Sequence, residues 1–590
     1  MSKRGCLKGV LGTVLIVVLL LLGSFTYFIG VPVWGWGSNG ERWAGPVPKT
    51  PAWALECWVW EDDVNTGEFV EELLAGYKEH DIPARTILID SPWTTRYNDF
   101  NVDEARYPEP KKFFTGLQDR GYRVVLWMTN NVNLSSKDTA IPESQDWYDE
   151  AKAKGYLTEN GGSTRWWKGE GGFIDYSNPE AMAWWRGIQQ PLFDWGVDGW
   201  KLDGTATYFA DMSGTIPKPW GQGKVGKITM REYMDHYYRD EYVHGLTQNP
   251  EFITMARSVD DQIPYVHING FAPLDAAPVT WVGDQDHTWS EEEEGMEEAL
   301  RDILRAAELG YGVIGSDVGG YSGNPIPPEI YIRWAQFSCF NGLFLNGGHG
   351  ERRLWERDDD TLEYVRKFAW LHTELVPFTY SRLIAQHEGG TTLMRRAGTA
   401  AHPYQYYFGE SFFVAPIHKP TNTWEVDIPE GNWRYLFNPK EVIQGPTTIT
   451  NDYPMGEAPV FVRDGAIVPM FIERDYTGFG KAAWAGKLVV QVWPGANGGE
   501  TQFDYVSPKS DARSMLSMNA ATDEITLTFS NLPTEEVPCI VRMYLAKAPA
   551  SISVNGEVLA MDAYSYDADK GTLDLEKLPL ASKLDIVVGR

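Results

Sequence analysis

From residue 53 to about residue 350 the chain repeats one pattern: a short apolar run, then a stretch that suits a helix. The runs are Trp53–Trp60, Arg85–Asp90, Arg123–Met128, Gly199–Asp203, Phe252–Ala256, Val279–Val282, Gly312–Gly315 and Leu343–Leu345, eight in all. Between them, Glu297–Leu309 places Leu300, Ile303, Leu304 and Ala307 on one stripe, the spacing of an amphipathic helix. Eight strands alternating with helices predict an α/β fold of the TIM (β/α)8 barrel type. A doubly wound sheet is the alternative, but no GxGxxG follows the first run. The interval from about 130 to 185 is too long for a plain loop and predicts an insertion. Its segment Trp166-Trp-Lys-Gly-Glu-Gly-Gly172 is expected to reach over the barrel mouth.

The pattern changes beyond the helices expected at Thr361–Glu374 and Thr379–Glu388. Glu524–Phe529 alternates with period two, and Ser551–Leu559 reads as a hairpin around Asn555-Gly556, a turn pair that favours hairpins. The expected organisation is a barrel over 52–384, a proximal β-sandwich over 385–472 and a distal one over 473–590, joined near Phe471–Lys481. At the other end, Lys3, Arg4 and Lys8 precede an uncharged run whose apolar heart is about Val10 to Ile29. That is long enough to span a bilayer as a helix. The basic flank predicts its N-terminal side inside and the rest of the chain extracytoplasmic, periplasmic or extracellular. Residues 1–30 thus read as an uncleaved signal anchor, favoured over a cleaved signal peptide that would release a secreted protein, and 31–51 as a tether.

Acidic residues outnumber basic ones by 81 to 52, a net charge of −29, which argues against nucleic acid as a partner. The four cysteines, Cys6, Cys57, Cys339 and Cys539, are far apart and show no metal-site or disulfide spacing. Through the N-terminal helix the expected partner is a membrane.

In a TIM barrel the side chains at the C-terminal ends of the strands face the active site. Read in order, those ends carry Asp90, Trp127, Asp203, Arg257, Asp284, Asp317 and His349. A single Asp in such a place often caps the next helix. Four Asp, an Arg and a Trp at successive ends are poorly explained by capping. Two carboxylates at strand mouths are what cleavage of a glycosidic bond requires. Lys201 alternates with Asp203, so both can point to one side of the strand, and Lys201 and Arg257 are candidate electrostatic helpers. Trp127, Trp167 and Trp281 are candidate sugar-stacking walls, with core packing as the bland alternative. Asp286 rivals Asp284, Asn346 could take the place of His349, and His267 and His287 read as structural or peripheral.

Gly199-Trp-Lys-Leu-Asp203, Ala256-Arg-Ser258, Trp281-Val-Gly-Asp284, Ser316-Asp-Val-Gly-Gly-Tyr321 and Ile89-Asp-Ser-Pro-Trp93 together resemble segments of glycoside hydrolase family 31. Arg333-Trp334 and Phe412-Phe-Val-Ala-Pro416 resemble its later segments. The resemblance covers roughly residues 53 to 470. It implies an exo-acting retaining α-glycosidase, α-glucosidase-like by default, that takes a saccharide substrate and uses no metal or organic cofactor. Asp203 would be the nucleophile and Asp284 the acid/base. Asp90, Asp317 and His349 would bind hydroxyls of the terminal sugar. The Glu that often follows the nucleophile in that family is absent from Asp203-Gly-Thr-Ala206, and the barrel begins almost directly after the tether rather than after a β-sandwich. Both departures bear on the sugar more than on the reaction. α-Galactosidase specificity, transglycosylation and a non-catalytic carbohydrate-binding surface protein are the alternatives.

Overall fold

Strands buried on both faces read as unbroken apolar runs, and the eight runs do become short parallel strands. They are β1 (Trp58–Val59), β2 (Thr86–Ile89), β3 (Arg123–Met128), β4 (Gly199–Leu202), β5 (Ile253–Arg257), β6 (Val279–Trp281), β7 (Ile314–Gly315) and β8 (Leu345–Asn346). The structure, a computed structural model, describes residues 3–31, 45–204, 220–259, 270–323 and 325–589. Residues 32–44 of the expected tether, Thr205, Ala206 and His267 lie outside the described residues. The chain divides into two compact units, Met1–Pro46 with Asp90–Gly116 and Val125–Ala277, and Val47–Ile89 with Leu117–Val124 and Pro278–Arg590.

The first unit holds β4 between β3 and β5. Val125, Gly199 and Ile253 are level, as are Trp127, Lys201 and Met255, then Met128, Leu202 and Ala256. This register sets Lys201 beside Trp127 and brings Asp203 and Arg257 out together at the strand ends. The expected insertion is an antiparallel three-stranded sheet, Asn131–Ser136, Gly169–Phe173 and Thr164–Trp166, with a helix at Gln145–Ala153. It ends earlier than expected, because the helix Pro179–Asp194 begins inside the predicted interval. Asn178 caps that helix by accepting from the Glu180 N–H, and Pro179 occupies its first turn, the usual start signals. A hairpin, Trp220–Gly223 with Gly226–Thr229, precedes the helix Met230–Gln248. Near the N-terminus Lys3–Phe25 is helical and continues into a π-helical turn, Thr26–Gly30. Among the described residues one helical segment, Gly12–Gly30, is long and apolar enough to cross a membrane.

In the second unit β1 lies between β2 and β8, Trp58 being level with both Thr86 and Leu345. β6 pairs with β7, and a bridge from Asp317 to Leu345 lays the exit of β7 beside β8. β1 is shorter than the predicted Trp53–Trp60. Ala52–Leu55 is a 3-10 turn instead, and the Trp58 indole donates to Ala54 O at 2.9 Å. The helix Met296–Leu309 buries its predicted stripe and stops at Gly310, where φ is +101°, the left-handed cap that glycine favours.

A six-stranded antiparallel sheet follows, Met394–Arg396 through Val460–Arg463, around a core of Phe413, Trp433, Tyr453 and Phe461. Arg333, on the helix Pro328–Ser338, donates to Tyr453 O (2.9 Å) and Asn422 Oδ1 (2.6 Å). The family-like Arg333-Trp334 segment is thus an anchor for this sheet. Two further sheets make the distal domain. Ile467–Ile472 pairs with Lys487–Val492 in one of them, so the join falls before Ile467 and not at Phe471–Lys481. That apolar strand carries no mark of the sheet it joins, since either core would bury it. The predicted Asn555-Gly556 turn links Ser551–Val554 to Glu557–Val558, both residues at positive φ.

Candidate active site

Asp203 lies one residue beyond β4, and its carboxylate is gripped from both neighbouring strands. Trp127 Nε1 donates to Oδ2 at 3.2 Å, and Arg257 Nη2 donates to Oδ1 at 3.1 Å. The Gly204 N–H adds a bond of 2.8 Å to Oδ1. The main chain is fixed as well: Asp203 N donates to Met128 O (3.1 Å), and the Tyr237 hydroxyl donates to Asp203 O (3.2 Å). Burial would push this carboxyl up. The charges of Arg257 and Lys201, with the Trp127 hydrogen bond, outweigh burial and hold it below the usual carboxylate range.

Lys201, two residues earlier, directs Nζ to Asp90 Oδ2 at 2.8 Å, and Asp90 Oδ1 accepts from the Ser91 N–H at 2.7 Å. Both side chains of this ion pair are buried. Removing one partner of such a pair typically costs about 3–5 kcal/mol, because the other charge is stranded. Lys201 therefore acts twice, as partner to Asp90 and as a positive charge near Asp203.

Trp127 is not an open stacking surface. It is 3% exposed and packs with Tyr97 and Trp166, so its indole serves as a hydrogen-bond donor. The predicted overhanging segment does come to the end of β4. Trp167 packs so close to Gly204 that a Cβ there would meet its ring at 2.5 Å, and Gly204 has φ +78°. Only glycine fits that position without strain.

The second unit carries the rest of the predicted set. Asp284 follows β6 after Gly283 and is half-buried, as is its rival Asp286. The Asp286 Oδ1 is taken by the Ser322 hydroxyl. Trp281 is 1% exposed, so its ring is core rather than an open wall. Asp317, at the exit of β7, accepts from Trp60 Nε1 at 3.0 Å, and Trp60 stacks on Tyr321 with ring centres 5.9 Å apart. Asn346 is not a substitute for His349: its side chain is bound by the hydroxyls of Tyr77 and Tyr331, both at 2.6 Å. His349 itself is less available than expected. Its Nδ1 stands 2.7 Å from Asp63 Oδ1 and its Nε2 3.4 Å from Asp62 Oδ2. His287 is buried with Nδ1 2.6 Å from Gly319 O, in keeping with a structural part. Trp60, Asp62 and Asp63 were not among the sequence candidates. β1 ends in no motif, and the only signal there is an acidic triplet, Glu61-Asp62-Asp63.

Residues 47–382 match the family model described as the TIM-barrel domain of glycosyl hydrolases family 31, and residues 393–468 match that family's C-terminal domain. An alpha-xylosidase, XylQ, of Lactiplantibacillus pentosus is 26% identical over 449 residues, 72% of this chain and 55% of that protein. An isomaltosyltransferase of Sporosarcina globispora is 23% identical over 584 residues, 88% of this chain and 50% of that protein. The chain thus spans about half the length of the curated relatives it matches. Among solved structures, a Flavobacterium johnsoniae dextranase complexed with isomaltotriose superposes with a TM-score of 0.79 at 21% identity, over 92% of this chain and 72% of that one. The fold is a TIM barrel followed by C-terminal β-sandwich domains.

Proposed function

The chain belongs to glycosyl hydrolase family 31, and on that premise we propose that it is an exo-acting, retaining α-glycosidase, α-glucosidase-like, with Asp203 as nucleophile and Asp284 as acid/base. Asp203 attacks the anomeric carbon and forms a glycosyl ester while Asp284 protonates the departing oxygen. Asp284 then takes a proton from water, which attacks the ester from the other face, so two inversions give retention. A nucleophile must be ionised and aimed. The observation that carries the reading is the Asp203 carboxylate held by Trp127 and Arg257 with its acidity increased.

The same donors limit what else those residues do. Trp127 and Arg257 steady the carboxylate, and they keep it from collapsing onto a neighbour as charge leaves it in the transition state. Lys201 orients Asp90 toward hydroxyls of the terminal sugar. Asp317 serves the same purpose from β7. The N-terminal helix is a signal anchor that holds the catalytic part on the extracytoplasmic side.

The deciding experiment is a panel of aryl α-glycosides (gluco, galacto, xylo) with the product anomer followed by NMR. Cleavage with the α-anomer released first is expected. The β-anomer first would rule out double displacement, and binding without turnover would favour a carbohydrate-binding protein. A relative named for isomaltosyl transfer spans 88% of this chain, so the panel is repeated with free acceptor sugars. Transfer products that outnumber hydrolysis products would make the protein a transglycosylase.

A further inference from the structure

Three residues beyond β1, Asp62 has a carboxylate only 9% exposed. Tyr321 Oη donates to its Oδ2 at 2.7 Å, and Asn65 Nδ2 reaches its Oδ1 at a long 3.3 Å. His349 Nε2 stands 3.4 Å from the same Oδ2 as Tyr321, while His349 Nδ1 is committed to Asp63 at 2.7 Å. The imidazole ring also lies against Tyr321, centres 4.9 Å apart. His349 is therefore spent between two carboxylates, and the Tyr321 hydroxyl is spent as a donor. An ionised carboxylate accepts about four hydrogen bonds, and one this deep is costly unless its acceptors are filled. Asp62 receives one good bond, one long bond and one distant contact. Sugar hydroxyls are the donors that would complete it. Its place fits, since β1 opens on the same end as β7 and β8, where Trp60 holds Asp317.

We propose that Asp62 is a further sugar-binding carboxylate, accepting hydroxyls of an uncharged glycoside, and that His349 and Tyr321 are positioning residues that aim it instead of contacting the sugar. The proposal rests on the glycosidase reading above. It also assigns a charge preference: a carboxylate at this point disfavours glycosides that carry a carboxylate or sulfonate.

The test is a series of monodeoxy analogues of the best aryl α-glycoside, measured as kcat/KM with the full chain, Asp62→Ala, Asp62→Asn and His349→Gln. With the unaltered protein, one analogue or two adjacent ones should fall about 10- to 100-fold. Asp62→Ala should lose a similar factor on the parent glycoside and show no further loss with those analogues, while its ratios for the other analogues stay unchanged. His349→Gln should raise KM more than it lowers kcat and should keep the discrimination. Discrimination erased in His349→Gln but kept in Asp62→Ala would overturn the proposal. If Asp62→Ala does not fold, Asp62→Asn carries the test: its preference for neutral over anionic glycosides should narrow, and an unchanged preference overturns the proposal. If no α-glycoside is turned over at all, the hydrolase reading fails on its own. Calorimetric titration with methyl α-glycosides still reads this site, and equal affinity for the unaltered protein and the Asp62→Ala or Asp62→Asn variant refutes it.

Discussion

Asp203 and Glu374 are both carboxylates withdrawn from water, one in each unit, and their acidities move in opposite directions. For both, burial is the largest influence and raises the pKa. At Asp203 the charges of Arg257 and Lys201 and the Trp127 indole reverse it. At Glu374, the last residue of the helix Asp359–Glu374, what opposes burial is neutral: the N–H groups of Glu473 and Arg474, both 2.8 Å from Oε1, and the Thr477 side chain. Its position at a helix C-terminus does not favour a negative charge either, and its carboxyl is pushed up to about 7. Burial alone therefore does not mark a functional carboxylate. Fixed cations that keep the carboxylate ionised are what a nucleophile at Asp203 requires, although buried pairs such as Arg434–Asp464 and Arg542–Asp574 carry the same signature in a purely structural setting.

The sharpest way to break this contrast is to neutralise each group isosterically. Asp203→Asn should lower kcat on any cleaved α-glycoside on the order of 10⁴- to 10⁶-fold, as expected when a nucleophile is removed. Glu374→Gln should change kcat less than threefold. Comparable losses in the two variants, measured by initial rates on folded protein, would dissolve the distinction and with it the assignment of Asp203.

The next largest effect tests the cause of the Asp203 shift. Arg257→Ala removes the nearer cation and leaves burial less opposed, so the Asp203 carboxyl should rise. The acid limb of the kcat/KM profile reports the free enzyme's essential base, and it should move to higher pH. Lys201 remains, so the limb should not reach the range of an unassisted buried acid. At neutral pH the rate should still fall about 10- to 100-fold, because one of the three donors that aim the carboxylate is gone. An acid limb that stays in place while the rate falls would mean that Arg257 only orients the carboxylate.

Much of this contrast could be read before any coordinates. β3 spans the predicted Arg123–Met128, and alternation put Lys201 and Asp203 on one side of β4. Those signals survive because they depend on local chain geometry and burial. What the sequence did not disclose are partners. Trp127 looked like a stacking plane and is a hydrogen-bond donor, since its role is set by the level it shares with Lys201 across two strands. His349 looked like a sugar ligand, yet its nitrogens face Asp62 and Asp63, some 286 residues away along the chain. Glu374 gave no signal at all: an acid at a helix end is ordinarily solvated, and its partners, the N–H groups of Glu473 and Arg474, lie about 100 residues further along the chain.

Glu374 also sets the smallest and most specific prediction, one of stability against pH. Its folded pKa, about 7, lies above the ordinary 4.5 of a glutamate. The folded state therefore holds the proton more tightly than the unfolded state. The stability this contributes is complete below about pH 4.5, declines as pH rises, and is gone above pH 7. The difference corresponds to roughly 3 kcal/mol. A glutamine keeps the oxygen that accepts from Glu473 and Arg474 but cannot ionise. Glu374→Gln should therefore unfold at the same temperature as the unaltered protein, or slightly lower, at pH 5, and at a distinctly higher temperature at pH 8.5. Asp203→Asn should do the reverse at its own end of the scale. A depressed acid contributes stability above its unfolded pKa and loses it as pH falls, so that variant should give up stability at neutral pH and close the gap below pH 4. Thermal unfolding of the three proteins across that range checks both slopes. Curves that run parallel would mean that neither carboxylate changes its ionisation on folding.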